Sequence, residues 1–442
     1  MIFLLAIILL LILLIVYKYS KKELSAPSVI FIAPFFLMVL VACFNYAKWQ
    51  LEDFHFITFV VVVIGVLFFF FGVVTQSKFI IKKGKKPDKL PIDINDCITK
   101  WHMIISLAIV LSSTLLYAYY LYSWGIVNGL SSFSQSIDVS MQNSKFSTGG
   151  ASLDLPFFLN SLLICSKAIA YIYCTILAKN FIYKRKGKNV LLLLNIIIVA
   201  FSTLFGGSRG ALIEYVVAFF AALLFYNYRK NGVKSINPKF IFGGAIAAVI
   251  TVYFFFTIKG FIGREELEWG NIVDEICAYF GAQVENLDNV LGKGNIQHTK
   301  YFGYATLSSF YSIFNNYLGM NIRETVALPY HFVNGISLGN VLTCFYNYYV
   351  DFGVFGVAFY SYFSGIISQY FFRKAKGAYD QSIDVWLVIY IYLASHLFLC
   401  FFGNRFYTNL ISAEAIRLYI WININVWFLR KFKFRNISRR RI

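Results

Sequence analysis

The sequence FGGSRG, residues Phe205–Gly210, separates two long apolar runs, 190–205 and 211–228. An apolar helix of about 20 residues is long enough to cross a bilayer, so this short hinge predicts two membrane spans packed as a helical hairpin. The second helix would begin at the glycines, where unpaired N–H groups and the positive end of the helix dipole meet the guanidinium of Arg209. The hinge therefore predicts an anion-binding site at a membrane surface.

The composition indicates a polytopic membrane protein. Of the 442 residues, 59% are hydrophobic and 14% are charged, whereas a soluble domain has about 25% charged residues. The formal net charge is +19, but the basic residues cluster in short segments beside the apolar runs, as expected for a membrane protein. The charge therefore does not indicate a nucleic-acid partner.

The apolar runs predict an all-α fold with about eleven transmembrane helices in a single integral membrane domain, residues 1–442. The predicted spans are Met1–Tyr17, Pro27–Tyr46, His55–Thr75, Trp101–Trp124, Pro156–Tyr183, Val190–Phe205, Ala211–Tyr228, Phe240–Ile258, Val350–Phe372, Val385–Phe402 and Leu410–Leu429. One large external loop, 259–349, connects the eighth and ninth helices.

The distribution of basic residues predicts the orientation. If the N-terminus lies outside, most of the 40 lysines and arginines fall in segments on the cytoplasmic side, which the positive-inside rule favours. The basic tail 430–442 is then cytoplasmic, and Arg209 lies on the outer side.

Three arginines in predicted outer segments are candidates for binding an anion, because a guanidinium donates two parallel hydrogen bonds to phosphate oxygens. Arg209 has two alternative interpretations, an interfacial anchor or an ion pair with Glu214. For Arg264, the residues alone favour a solvated loop charge. Arg405 lies in a tight outer loop between the last two spans.

The polar and aromatic run 339–353, which contains Asp351, is a candidate sugar site. Tyrosines and amides beside a carboxylate are typical of a sugar-binding wall, but an aromatic belt at the membrane interface would have the same composition. His331 is either an ordinary loop histidine or a proton acceptor.

No metal or cofactor is predicted. The external segments contain no D-x-D motif, and the chain has no P-loop, GxGxxG or HExxH pattern of the kind that binds nucleotides or zinc.

The order of these motifs resembles the bacterial oligosaccharide repeat-unit polymerases of the Wzy type, which build O-antigen and capsule. The resemblance rests on GGSRG at 206–210, FIGRE at 261–265, GNV at 339–341 and YYVDFG at 348–353, and it covers about residues 190–430. It implies a metal-independent glycosyltransferase in the bacterial cytoplasmic membrane. Such an enzyme transfers the growing chain from undecaprenyl diphosphate onto a new lipid-linked repeat unit.

The resemblance also implies partners and roles for individual residues. The partners are the undecaprenyl-diphosphate-linked oligosaccharide, membrane lipids, a chain-length regulator and a flippase. We expect Asp351, and second His331, to be the catalytic base. The expected diphosphate-binding residues are Arg209, Arg264, Arg405, Gly207 and Gly210, and the expected sugar-binding residues are Asn340, Tyr348 and Tyr349.

Three alternatives remain from the sequence. An O-antigen ligase would use the same donor and transfer the chain to the lipid A core. A flippase or transporter of lipid-linked sugars would move the substrate without chemistry, and many transporters have internal repeats. A scaffold of the assembly complex would need none of the external arginines.

Overall fold

The computed structural model describes residues 1–79, 98–146, 153–184, 189–207, 210–232, 253–254, 257–258, 272–294, 296–326, 328–377 and 383–432. Most of these residues are helical. The helices are α1 Ile2–Tyr19, α2 Pro27–Phe44, α3 Phe56–Lys78, α4 Lys100–Val127, α5 Phe133–Phe146, α6 Phe157–Ile182, α7 Asn189–Leu204, α8 Gly210–Asn231, α9 Ile272–Gly292, α10 Tyr304–Leu318, α11 Cys344–Gly377, α12 Val385–Phe398, α13 Arg405–Leu410 and α14 Ala413–Lys431.

The prediction of a polytopic helical membrane protein agrees with this architecture. Eight helices among the described residues are long and apolar enough to cross a membrane. The predicted sixth span forms the apolar helix α7 of 16 residues, and the last one forms α14. The predicted eighth span, 240–258, lies almost entirely outside the described residues, so the count of eleven spans is not confirmed.

The chain divides into two compact units. Unit 1 contains Met1–Lys83, Trp269–Lys376 and Leu393–Ile416, and unit 2 contains Gly84–Glu268, Gly377–Tyr392 and Arg417–Ile442.

The core of unit 1 is aromatic and closely packed. The ring of Phe31 in α2 stacks on Phe69 in α3 with 3.9 Å between centroids, and Phe35 stacks on Phe345 in α11 at 4.8 Å. A Cβ atom on Gly72 of α3 would clash with the backbone of α11, and one on Gly365 of α11 would clash with the backbone of α3. Small residues at such a crossing let two apolar helices approach closely.

The two ends of unit 1 have different polar contacts. At one end, Arg373 of α11 donates to the carbonyl oxygen of Gln76, and Lys376 pairs with the buried Glu23 at 2.6 Å. At the other end, the 45–55 loop contacts α9 and residues 331–339. The segments that the sequence predicts on the same side of the membrane therefore contact each other.

A pair of short strands is the clearest departure from an all-α fold. Strands β1 His331–Val333 and β2 Ile336–Gly339 pair antiparallel within the predicted external loop. Asn334 and Gly335, with φ of 50° and 74°, form the turn between them. Asn-Gly is the preferred pair for a two-residue hairpin turn with both φ values positive, so this hairpin was readable from the sequence.

Unit 2 contains the hinge between α7 and α8. Gly207 has a φ of +66°, and a side chain there would also clash with Met141 of α5. Phe205 packs in a core with Leu121, Ile137 and Leu204. Between the predicted fourth and fifth spans, residues 133–146 form α5, which covers the hinge.

Candidate functional site

Helix α9 has an apolar side and a polar side. Ala282, Val284, Leu287 and Leu291 are buried, while Glu285, Asp288 and Asn289 follow the i, i+3, i+4 spacing that places side chains on one helix face. Near the start of the helix, Asp274 forms an ion pair with Lys48 of the 45–55 loop at 2.5 Å. The polar side of α9 is therefore held against the connection between α2 and α3.

Glu285 faces the histidine of the β-hairpin. Its Oε1 atom lies 3.6 Å from Nε2 of His331. The amide nitrogen of Asn289, one turn along α9, lies 2.9 Å from Nε2 and 3.2 Å from Nδ1 of the same ring. An amide nitrogen is a donor only, so this contact favours a neutral imidazole whose lone pair accepts the amide hydrogen of Asn289.

The pKa values of the two groups agree with a neutral pair. Burial, and to a smaller extent the charge of Asp288, raises the pKa of Glu285 to about 8. Burial and the charge of Lys293 lower the pKa of His331 from its ordinary value. The distance of 3.6 Å would also allow an ion pair between a carboxylate and an imidazolium. The two pKa shifts instead favour a protonated Glu285 and a neutral His331 at pH 7.

Asp288 forms a second carboxylate–imidazole pair on the same helix. Its Oδ1 accepts the backbone N–H of His55 at 2.9 Å, and its Oδ2 lies 2.9 Å from Nδ1 of the His55 ring. The side chain of Asp288 is 6% exposed and that of His55 is 46% exposed. We call Glu285, Asp288, Asn289, His331 and His55 the α9 cluster.

Hydrogen bonds from two asparagine side chains to backbone carbonyl oxygens hold the hairpin against α9 and the 45–55 loop. The amide of Asn286 donates to the carbonyl oxygens of Leu338 and Val341, and Asn334 donates to the carbonyl oxygen of Lys48. The half-buried Asn340, a predicted sugar-binding residue, lies between the two carbonyls that Asn286 binds. Of the predicted site residues, His331 and Asn340 are therefore the ones placed at α9.

Asp351, the first choice for the catalytic base, has both carboxylate oxygens occupied. Oδ1 accepts from the hydroxyl of Thr299 and from the N–H of Ala305, and Oδ2 accepts from the N–H of Thr306, each at 2.9 Å. Asp351 is 5% exposed. A carboxylate at the first N–H groups of a helix caps that helix and complements its dipole, so Asp351 caps α10.

A break in α11 places Asp351 at this position. Phe352 and Gly353 have non-helical backbone angles, and Gly353 adopts φ 59° and ψ −147°, a region essentially restricted to glycine. Residues 344–351 therefore form a short helical segment that precedes the long apolar part of α11. The sequence YYVDFG marks this break.

The two predicted sugar-binding tyrosines have different environments. Tyr348 is 1% exposed and packs between the rings of Tyr360 and Tyr407, which favours a packing role. Tyr349 is half-buried, and its ring lies nearly parallel to that of His298 with 6.4 Å between centroids. Their role in sugar binding stays a prediction.

Arg405 lies at the start of α13 in unit 1. The neighbouring Asn404 donates to the carbonyl oxygen of Thr306, the residue whose N–H binds Asp351. The Arg405 side chain is half-buried, and no hydrogen bond or ion pair of its guanidinium is found among the described residues. A cation without a partner in the protein is suited to an anionic ligand.

The remaining predicted diphosphate residues belong to unit 2. Gly207 and Gly210 flank the hinge, and α8 begins at Gly210. Arg209 and Arg264 lie outside the described residues, so their roles stay predictions.

Sequence reasoning missed Glu285, Asp288, Asn289 and His55. The 3–4 spacing of polar residues in ENLDN, residues 285–289, indicates a polar helix face. The partner His55 is 233 positions away and has no local signal.

Within the ranges that the structure describes, no three His, Cys, Asp or Glu side chains are grouped to hold a metal ion. Comparison of the chain with protein-family models, curated proteins and solved structures found no match.

Proposed function

We propose that the protein is a membrane glycosyltransferase that polymerises oligosaccharide repeat units carried on undecaprenyl diphosphate. The reaction would take place at the outer face of the bacterial cytoplasmic membrane and would build O-antigen or capsular polysaccharide. Membrane lipids, a flippase and a chain-length regulator are its proposed partners. The observation that carries this proposal is the Glu285–His331 pair at one end of the apolar helices.

A neutral carboxyl–imidazole pair suits the binding of a sugar. A protonated Glu285 donates a hydrogen bond through its O–H and accepts one through its other oxygen, so it can engage a sugar hydroxyl group as both donor and acceptor beside the neutral ring of His331. Because both groups are neutral, no charged group is desolvated when the sugar displaces water, which keeps the desolvation cost low. We propose that the pair holds the acceptor sugar.

Cleavage of the glycosyl–phosphate bond in the proposed donor supplies the driving force for the transfer. When the glycosyl–phosphate bond breaks, the leaving diphosphate gathers negative charge, which fixed cations stabilise. Among the described residues, Arg405 of unit 1 would serve this role, and the same role for Arg209 and Arg264 stays a prediction from the sequence. A lipid diphosphate donor also agrees with the lack of a nucleotide-binding motif in the sequence.

Substitution of Glu285 tests this proposal in cells that lack the chromosomal gene. A glutamine at 285 keeps a neutral hydrogen-bond donor, so Glu285→Gln should retain at least about a tenth of the wild-type polysaccharide ladder. Glu285→Ala should reduce it more than tenfold, since a tenfold loss corresponds to only about 1.4 kcal/mol. The ladder is measured on gels with equal amounts of membrane-inserted protein.

Asp274→Asn is the matched control, because it changes a carboxylate of the same helix that pairs with Lys48. It should leave the ladder unchanged. A normal ladder with Glu285→Ala would refute the role of the pair. If cells without the gene also fail to display single repeat units, ligation or flipping explains the protein better than polymerisation.

A further inference from the structure

We propose that His55 is the general base of the transfer reaction, and this assignment rests on the proposed function. His55 is the residue that immediately precedes α3. Its N-terminal neighbours in the loop are firmly packed, since Trp49, Leu51 and Phe54 are buried. The imidazole is therefore attached to a rigid backbone rather than to a flexible connection.

Asp288 fixes the tautomer of His55. A carboxylate oxygen only accepts hydrogen bonds, so in the neutral imidazole Nδ1, 2.9 Å from Oδ2 of Asp288, carries the single ring proton. Nε2 is then left with a lone pair, and no hydrogen bond to it is found among the described residues. A buried carboxylate that orients an imidazole in this way is the usual arrangement for a histidine base.

Asp288 makes two contacts with His55, and one of them would be enough to hold the loop against α9. The hydrogen bond from the backbone N–H of His55 to Oδ1 of Asp288 could form with almost any residue at position 55. The second oxygen of Asp288 is used to orient the imidazole. Gly292 adds to this, because a Cβ atom there would clash with the His55 ring, so α9 leaves space for the ring at this point.

The other candidates are less suited to accept a proton. His331 lies against the amide of Asn289 through both nitrogens. Asp351 has three hydrogen bonds from the protein. His55 combines a fixed orientation with a side chain that is almost half exposed.

The proposed step is a direct displacement. Nε2 of His55 takes the proton of the acceptor hydroxyl while that oxygen bonds to the anomeric carbon of the donor. The bond from the anomeric carbon to the phosphate oxygen breaks, and its electron pair leaves with undecaprenyl diphosphate. The imidazolium, stabilised by Asp288, then returns its proton to solvent.

The test uses the purified full-length protein in lipid nanodiscs with the undecaprenyl-diphosphate-linked repeat unit as substrate. A positioned base contributes about 10²–10⁴-fold to rate, so His55→Ala should lower kcat at least 100-fold and change KM by less than about threefold. Added imidazole should raise the kcat of His55→Ala at least tenfold, because the position vacated by the side chain is exposed. Asp288→Asn should lower kcat with less recovery by imidazole.

Lys48→Ala is the control, since it removes the other tether between this loop and α9 without changing an imidazole, and its kcat should match the wild type. An unchanged kcat for His55→Ala, or a loss that imidazole does not recover and that Lys48→Ala reproduces, would overturn the assignment of His55 alone. If the wild-type protein does not elongate the substrate, the proposed function fails together with this assignment.

Discussion

Asp288 and Asp351 are both buried carboxylates of unit 1, but their oxygens bind different kinds of groups. Asp351 accepts two backbone N–H groups and a hydroxyl, and it completes the start of α10. Asp288 accepts one backbone N–H and orients an imidazole whose ring is almost half exposed. The comparison indicates that a carboxylate saturated by the backbone stabilises the fold, whereas one bound to an accessible histidine can support chemistry.

Removing the Asp351 carboxylate tests whether this residue stabilises the fold, and we expect the largest effect on stability from this substitution. Asp351→Ala leaves the buried N–H groups of Ala305 and Thr306 without an acceptor, whereas the half-buried hydroxyl of Thr299 can bind water. Each hydrogen bond to a charged group contributes about 1.5–3 kcal/mol. We expect the free energy of unfolding to fall by about 3–5 kcal/mol, a large effect for one substitution. Thermal unfolding of the purified protein would measure it.

Asp351→Asn distinguishes a role of Asp351 in capping α10 from a role in catalysis. It retains an oxygen at one position and should destabilise the protein less, while elongation per folded molecule stays within a few-fold of the wild type. A variant of normal stability that does not elongate the substrate would instead identify Asp351 as the base that the sequence predicted.

A smaller effect concerns the pH dependence contributed by Glu285. Because its pKa in the folded protein, about 8, lies above the value near 4.3 of an unfolded chain, the folded state binds the proton more tightly. Stability is therefore lost as the pH rises between these values. Glu285→Gln removes this dependence.

The expected measurement is a difference in stability between Glu285→Gln and the wild type that grows from pH 6 to pH 8 and then levels off. The growth should not exceed about 3 kcal/mol, since one pKa unit corresponds to about 1.4 kcal/mol. A constant difference over this range would mean that Glu285 is already ionised at pH 6, and the neutral pair would be wrong.

The fold was more accessible to sequence reasoning than the site. Apolar runs such as 56–78 are long and continuous, so the physical requirement of crossing a bilayer makes them evident. The Asn334–Gly335 turn was also readable, although it was not predicted. In contrast, the YYVDFG sequence did not indicate that Tyr348 is buried or that Asp351 caps α10, and the predicted sugar-binding role of this stretch stays a prediction.

The partners of the α9 cluster could not be predicted from local pattern. His55 and Asp288 meet across 233 positions, and Glu285 meets His331 through a hairpin that folds back onto α9. The raised pKa of Glu285 arises from burial and from Asp288, and burial depends on the tertiary packing of α9. These properties come from contacts between distant segments, which periodicity does not encode.

We propose that the α9 cluster faces the outer side of the membrane, where the lipid-linked substrate would lie, and the reaction depends on this orientation. Cysteine labelling of spheroplasts with a membrane-impermeant maleimide tests it most directly, with the exposed Gln297 and Lys21 changed to cysteine in separate variants and the native cysteines as background. Our account predicts that Gln297→Cys is labelled in intact spheroplasts and that Lys21→Cys is labelled only after the membrane is permeabilised. The reverse pattern would place the α9 cluster in the cytoplasm and contradict the proposed reaction.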